Sequence, residues 1–141
     1  MLNPHSAIKV RSPSALNSLA SKTVLVVEDE FLVGFLLCND LQDEGYGARG
    51  PFPTIEAATK ALDNEPVDGA ILDINLNGQL VYPFAQELVR RGIPFMFVSG
   101  YSASDIPEEF RKYLRLAKPA EGTHLLRELE RLLTRDSTSA G

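Results

Sequence analysis

The sequence predicts an α/β fold, a five-stranded parallel sheet with helices on both faces, and three observations carry that prediction. Short apolar runs recur along the chain. Each stops abruptly on polar residues: 23–27 on Glu28-Asp29-Glu30, 69–72 on Asp73, and 94–98 on Ser99. Between the runs, apolar residues fall at helical spacing, with glycines and prolines at the joints. Unbroken apolar runs are how strands buried on both faces are written. Their alternation with helices leaves right-handed crossovers as the connection.

Each element has its own grounds. The first strand, 23–27, is β-branched and precedes a helix over 30–44, where Leu32, Phe35, Leu36, Cys38 and Leu41 recur at helical spacing and Gly45 supplies a left-handed stop. Residues 47–50 are weakly strand-like and short enough for an edge, and Pro51-Phe52-Pro53 is expected to break them. Thr54 is placed to cap a second helix running to residue 64, with Ile55, Ala58 and Leu62 on its buried face. The central strand, 68–72, is followed by a third helix over 81–91 that Gly92 ends. A buried strand at 94–98, one or two helical turns within 106–113 and a short last strand at 114–117 come next. The final helix, 121–134, is strongly periodic through Leu125, Leu129, Leu132 and Leu133. Residues 1–20 show neither period and are expected to form a mobile arm, 21–135 the folded domain, and 136–141 a disordered polar tail.

Composition bounds the function. The 141 residues suit one domain of common size, and 44% hydrophobic with 23% charged content is ordinary for a soluble chain. No apolar run approaches the roughly 20 residues of a membrane helix, and the first residues lack the apolar core of a secretory signal. A cytoplasmic location without membrane contact is the expectation. Fourteen basic against nineteen acidic residues give a net charge of −5, which disfavours a nucleic-acid partner. The lone Cys38 has no disulfide or metal-site partner and is expected in the core. His5 and His124 stand apart from the pattern.

In a parallel sheet all the strand exits share one edge, where ligands gather. That edge collects Glu28 and Asp29, Asp73, Ser99 and, after the last strand, Lys118 followed by Pro119. Carboxylates crowded at one spot repel unless a cation neutralises them. Oxygen ligands without histidine point to Mg²⁺ or Mn²⁺ over zinc. A lysine and a hydroxyl at the same edge are the donors that a phosphoryl group needs, so Asp73 is a candidate nucleophile. A Rossmann-type nucleotide site is disfavoured, because the first strand-to-helix turn holds three acids and no glycine.

Glu28-Asp29, Asp73, Ser99 and Lys118-Pro119, each at the end of its strand and in this order, resemble the receiver domain of two-component response regulators over about residues 22–134. The resemblance implies a flavodoxin-like sheet of order 2-1-3-4-5. It implies that Asp73 accepts the phosphoryl group from a histidine kinase or a histidine phosphotransfer protein, and that the chain catalyses only its own phosphorylation and dephosphorylation. It further implies that Asp29 holds the metal directly, Glu28 through water, and the Asn75 backbone carbonyl completes the ligands, while Ser99 and Lys118 bind the phosphoryl oxygens. Pro94-Phe95-Met96-Phe97-Val98-Ser99-Gly100-Tyr101 resembles the FAT GUY class of single-domain receivers, which is tied to general stress signalling. Ser99 replaces that class's usual threonine, and Ala120 stands where an aromatic residue is common. Arg115 occupies the place of the ordinary aromatic switch, so Tyr101 is the candidate switch residue.

The expected output is contact with a downstream protein, or a role as phosphate sink or shuttle, by a monomer or weak homodimer. Two alternatives stand beside it. A haloacid-dehalogenase-like phosphatase would need a second aspartate where the chain has Asn75. A receiver-like binding module that works without phosphorylation would not need the intact acid set.

Overall fold

The computed structural model describes residues 22–100, 105–120 and 122–139, so the proposed N-terminal arm and Tyr101 lie outside the described residues. Five strands form one parallel sheet: β1 (Thr23–Val27), β2 (Gly47–Phe52), β3 (Gly69–Asp73), β6 (Phe95–Ser99) and β7 (Arg115–Ala117). Their order is β2-β1-β3-β6-β7. With the small hairpin β4 (Asn75–Leu76) and β5 (Gln79–Leu80) set aside, this is the 2-1-3-4-5 order of a flavodoxin-like receiver.

Alternation of side chains along each strand divides the core into two layers. Leu25, Val27, Ala70, Leu72, Phe95 and Phe97 face α2 (Ile55–Asn64) and α3 (Tyr82–Arg91), through Ala58, Leu62, Phe84 and Leu88. Val24, Val26, Ile71, Met96 and Val98 face α1 (Phe31–Asp43) and α4 (Gly122–Ser139), through Cys38, Leu41, Leu125 and Leu129. β3 and β6 are buried at every position. Burial on both faces explains their unbroken apolar writing.

Several expectations hold at the level of single atoms. Thr54 Oγ1 accepts from the Ala57 N–H at 3.1 Å, and Gly92 ends α3 at a φ of 72°. Gly45 follows α1 with a φ of 99°, the left-handed stop that lacks a side-chain penalty there.

Others are corrected. Pro51 does not break the edge strand: β2 continues to Phe52, because Gly50 takes a φ of 123° and a bulge places three β2 steps opposite two in β1. The Glu28 N–H still reaches the Phe52 carbonyl at 2.9 Å. The stretch after Asp73, to which no strand was assigned above, folds into the β4–β5 hairpin. Asn75 Oδ1 accepts from the Gly78 N–H at 2.7 Å and closes its turn. Within 106–113 the structure forms one 3₁₀ turn, Glu108–Phe110, in keeping with the one or two helical turns expected there. α4 is helical to Ser139.

The largest correction concerns α1. Of the five residues at helical spacing only Cys38 and Leu41 are buried, together with Gly34. Leu32, Phe35 and Leu36 lie exposed. Gly34 decides this seating: a Cβ there would stand 2.4 Å from Pro51 Cβ, so the helix packs on β2 through its glycine and turns its large side chains outward.

Candidate functional site

The parallel register delivers the expected residues to one edge. Glu28 follows β1, Asp73 ends β3 and Ser99 ends β6, and all three are buried polar residues. Lys118 follows β7 and is tied back through its own N–H to the Ser99 carbonyl at 2.9 Å. Its side chain crosses the edge: Lys118 Nζ stands 3.1 Å from Asp73 Oδ2 and 2.9 Å from Glu28 Oε1. The second Glu28 oxygen accepts from the Glu30 N–H at 3.1 Å, which fixes the carboxylate in the turn. The Lys118-Pro119 peptide that begins the last loop is cis.

One ammonium cannot satisfy three acids. Glu28, Asp29 and Asp73 each offer a carboxylate oxygen within 4.8 Å of the others. Burial, and then the charge of Glu28, push the Asp73 carboxyl up to about 7, against the opposing pull of Lys118. Burial disfavours the Lys118 charge too, yet its bonds to Glu28 and Asp73 outweigh that cost and hold its pKa above the ordinary lysine value. Asp29 Oδ1 is a buried oxygen with no hydrogen-bond partner. Buried unpaired carboxylate oxygens are costly. The donor set therefore fits a hard divalent cation, with oxygens only and one oxygen left for it.

Glu30 was not singled out by the sequence, yet its Oε1 stands 3.7 Å from Lys118 Nζ. Its place two residues after Glu28, in the same acid run, was the available signal. Asn75 sits on β4, next after the Asp73 corner, and Arg115 lies half-buried on β7. His124 is on α4 with Glu128, remote in role from the acid edge.

A cavity of about 570 Å³ opens beside the site. Glu28, Asp73 and Lys118 line its polar side, and Val33, Leu36 and Leu125 belong to its apolar wall.

Solved structures give the geometry its class. SdrG from Sphingomonas melonis Fr1 is 33% identical, with a TM-score of 0.70 over 81% of this chain and 98% of that one. The receiver domain of the TMAO respiratory system response regulator TorR is 24% identical, with a TM-score of 0.71 over 81% of this chain and 98% of its own. TrrA from Thermotoga maritima, a response regulator solved in complex with Mg²⁺-BeF, is 25% identical, with a TM-score of 0.68 over 79% of this chain and 98% of its own. No protein-family model and no curated protein sequence matches the chain. A flavodoxin-like sheet with an acid pocket and a lysine at its carboxyl edge defines a receiver-type signalling module. The chain belongs to the receiver-domain family of response regulators, the two-component signalling proteins.

Proposed function

We propose that this receiver takes a phosphoryl group on Asp73 from the phosphohistidine of a sensor kinase or phosphotransfer protein. The observation that carries the reading is the contact of Lys118 Nζ with Asp73 Oδ2 at 3.1 Å, inside a cluster whose Asp29 oxygen is buried and unpaired. Glu28, Asp29 and Asp73 would hold Mg²⁺ or Mn²⁺, with the Asn75 backbone carbonyl as the further ligand that the family pattern implies. When bound, the cation supplies charge neutralisation for the carboxylates and the incoming phosphoryl oxygens.

The residues of the chain do the rest. Asp73 attacks phosphorus through a carboxylate oxygen: a P–O bond forms, the P–N bond to imidazole breaks, and its electron pair returns to the ring nitrogen, which takes up a proton. Lys118, already beside Asp73, would pair with a phosphoryl oxygen, and the hydroxyl of the buried Ser99 would donate to another. Water attack on phosphorus later releases phosphate and restores Asp73. Chemistry of this kind turns over only the chain's own modification.

The run Phe97-Val98-Ser99-Gly100-Tyr101 supports the reading of a FAT GUY-like receiver, and with it a role in general stress signalling through protein contact. Tyr101 is the proposed switch residue. Position 75 speaks against the haloacid-dehalogenase alternative, since Asn75 spends its side-chain oxygen on the hairpin turn. Among the described residues no helix is long and apolar enough to cross a membrane.

The test is incubation with a small acyl-phosphate donor and Mg²⁺, comparing the native chain, Asp73→Asn and a chelated control. The reading expects one acid-stable, base-labile phosphoryl group per chain, requiring both Asp73 and the cation. Label that persists in Asp73→Asn, or that is indifferent to chelation, would contradict it.

A further inference from the structure

The hairpin that follows Asp73 is closed at both of its ends and tied to a helix outside it. At its base the Val81 N–H donates to the Ile74 carbonyl at 2.9 Å. At its tip Asn77 and Gly78 take φ values of 53° and 95°, the two left-handed residues of a tight type I′ turn. The register pairs Leu76 with Gln79 and Asn75 with Leu80. Bonded and non-bonded pairs alternate in an antiparallel ladder, so the Asn75 pair is the one whose backbone groups point away from the partner strand. The tie to the helix comes from the side chain of Gln79. The Ile55 N–H, in the first turn of α2, donates to Gln79 Oε1 at 3.3 Å.

We propose that Gln79 is a positioning residue for the divalent cation: by bonding the start of α2 it holds the hairpin, and with it the Asn75 carbonyl, at the acid edge. That carbonyl completes the cation's ligands in the phosphoacceptor reading, on which this role rests. The carboxylates need no such help. Glu28 and Asp73 are buried, and Lys118 bonds both. Asn75 lies beyond the end of β3, where the parallel sheet no longer fixes the backbone, and β5 opposite it is exposed at both positions.

A two-stranded hairpin is marginal by itself in water, and a ligand on it keeps its place only if the ribbon is anchored. α2 supplies the anchor. The first turn of a helix presents N–H groups that have no partner within the helix. Thr54 Oγ1 takes the Ala57 N–H from within the local chain, whereas the Ile55 N–H goes to a residue 24 positions further on. The two caps at the same helix end therefore do different work. Thr54 stabilises α2 alone, and Gln79 joins α2 to the loop of the phosphoacceptor.

The test needs no phosphoryl donor. Mn²⁺ binding to the full chain is titrated by the loss of the free-ion EPR signal, with Mg²⁺ as competitor, in the native chain, Gln79→Met, Gln79→Glu and Thr54→Ala. Gln79→Met keeps the length of the side chain and loses the acceptor. It should weaken Mn²⁺ several-fold, short of the roughly tenfold that loss of a partner bonded directly to a metal ligand costs, and it should speed hydrogen exchange at the Ile55 amide. Gln79→Glu keeps the acceptor and should bind Mn²⁺ at native strength or more tightly. Thr54→Ala removes the other bond at the same helix end, and should lower the thermal midpoint while leaving Mn²⁺ affinity native. Native affinity in Gln79→Met, an equal loss in Thr54→Ala, or a loss in Gln79→Glu as large as in Gln79→Met would overturn the positioning role and leave the cation site standing. A native chain that binds no Mn²⁺ would overturn the cation site itself, and this role with it.

Discussion

α1 and α3 occupy equivalent places, each following a strand that ends on an acid of the site, yet their outer faces are opposites. α3 buries Phe84, Ala85 and Leu88 and meets water with charge. Arg91 bonds Asp63 and Glu87 there, each at 2.6 Å, and Glu87 also pairs with Arg90. α1 buries Gly34, Cys38 and Leu41 and meets water with phenylalanine, leucine and valine. The strands beneath them differ: α1 seats on the edge strand β2, where Gly34 meets Pro51, and no β2 residue is buried, whereas α3 belongs to a layer with the fully buried β3 and β6. Solvent is a sufficient neighbour for α3. α1 instead exposes an apolar face beside the reactive carboxylate.

The comparison can be broken in graded steps. The largest effect is expected at the shared edge: Asp73→Asn should remove all phosphoryl label from the acyl-phosphate assay while the fold persists. Next are the inner faces. Leu41→Ala in α1 and Leu88→Ala in α3 remove fully buried side chains, and each should cost about 2–5 kcal/mol in denaturant unfolding. A large difference between the two costs would show that the helices are not equivalent inside.

A smaller effect comes from pH. Asp73 titrates near 7 in the folded, cation-free protein and near the ordinary carboxylate value when unfolded. Between about pH 4 and 7 the folded state therefore binds a proton that the unfolded state has released. Stability should fall as pH rises through that window, by on the order of a few kcal/mol, and level off above it. Chemical denaturation across pH in chelator would show this slope, and Asp73→Asn should flatten it. The smallest effect is on the outer face: Leu32→Ser should change stability by under about 0.5 kcal/mol, because the side chain is already in water in the folded domain. A loss comparable with Leu41→Ala would mean that the α1 face is core.

Much of this was legible because strand exits are written locally. An apolar run stopped by an acid marks its own place in a parallel sheet, and Asp73, Ser99 and Lys118 needed only the topology to come together. Features that depend on one element seating against another were not legible. Leu32, Phe35 and Leu36 keep helical spacing with Cys38 and Leu41, and nothing local says that the clearance of Gly34 over Pro51 rotates them outward. Pro51 carries the signal of a strand breaker, and the bulge at Gly50 that accommodates it exists only opposite β1. The β4–β5 hairpin rests on Asn75 closing its own turn, which a two-residue strand pair does not announce in the sequence.

The central claim is that Asp73 is a desolvated carboxylate, held next to Glu28 and Lys118, that a divalent cation converts to its charged, nucleophilic form near neutral pH. The most direct measurement is a ¹³C NMR titration of the Asp73 carboxyl, in chelator and then in Mg²⁺. The account predicts a midpoint near 7 without the cation and a clear fall in its presence. A midpoint at the ordinary aspartate value, unmoved by Mg²⁺, would contradict it.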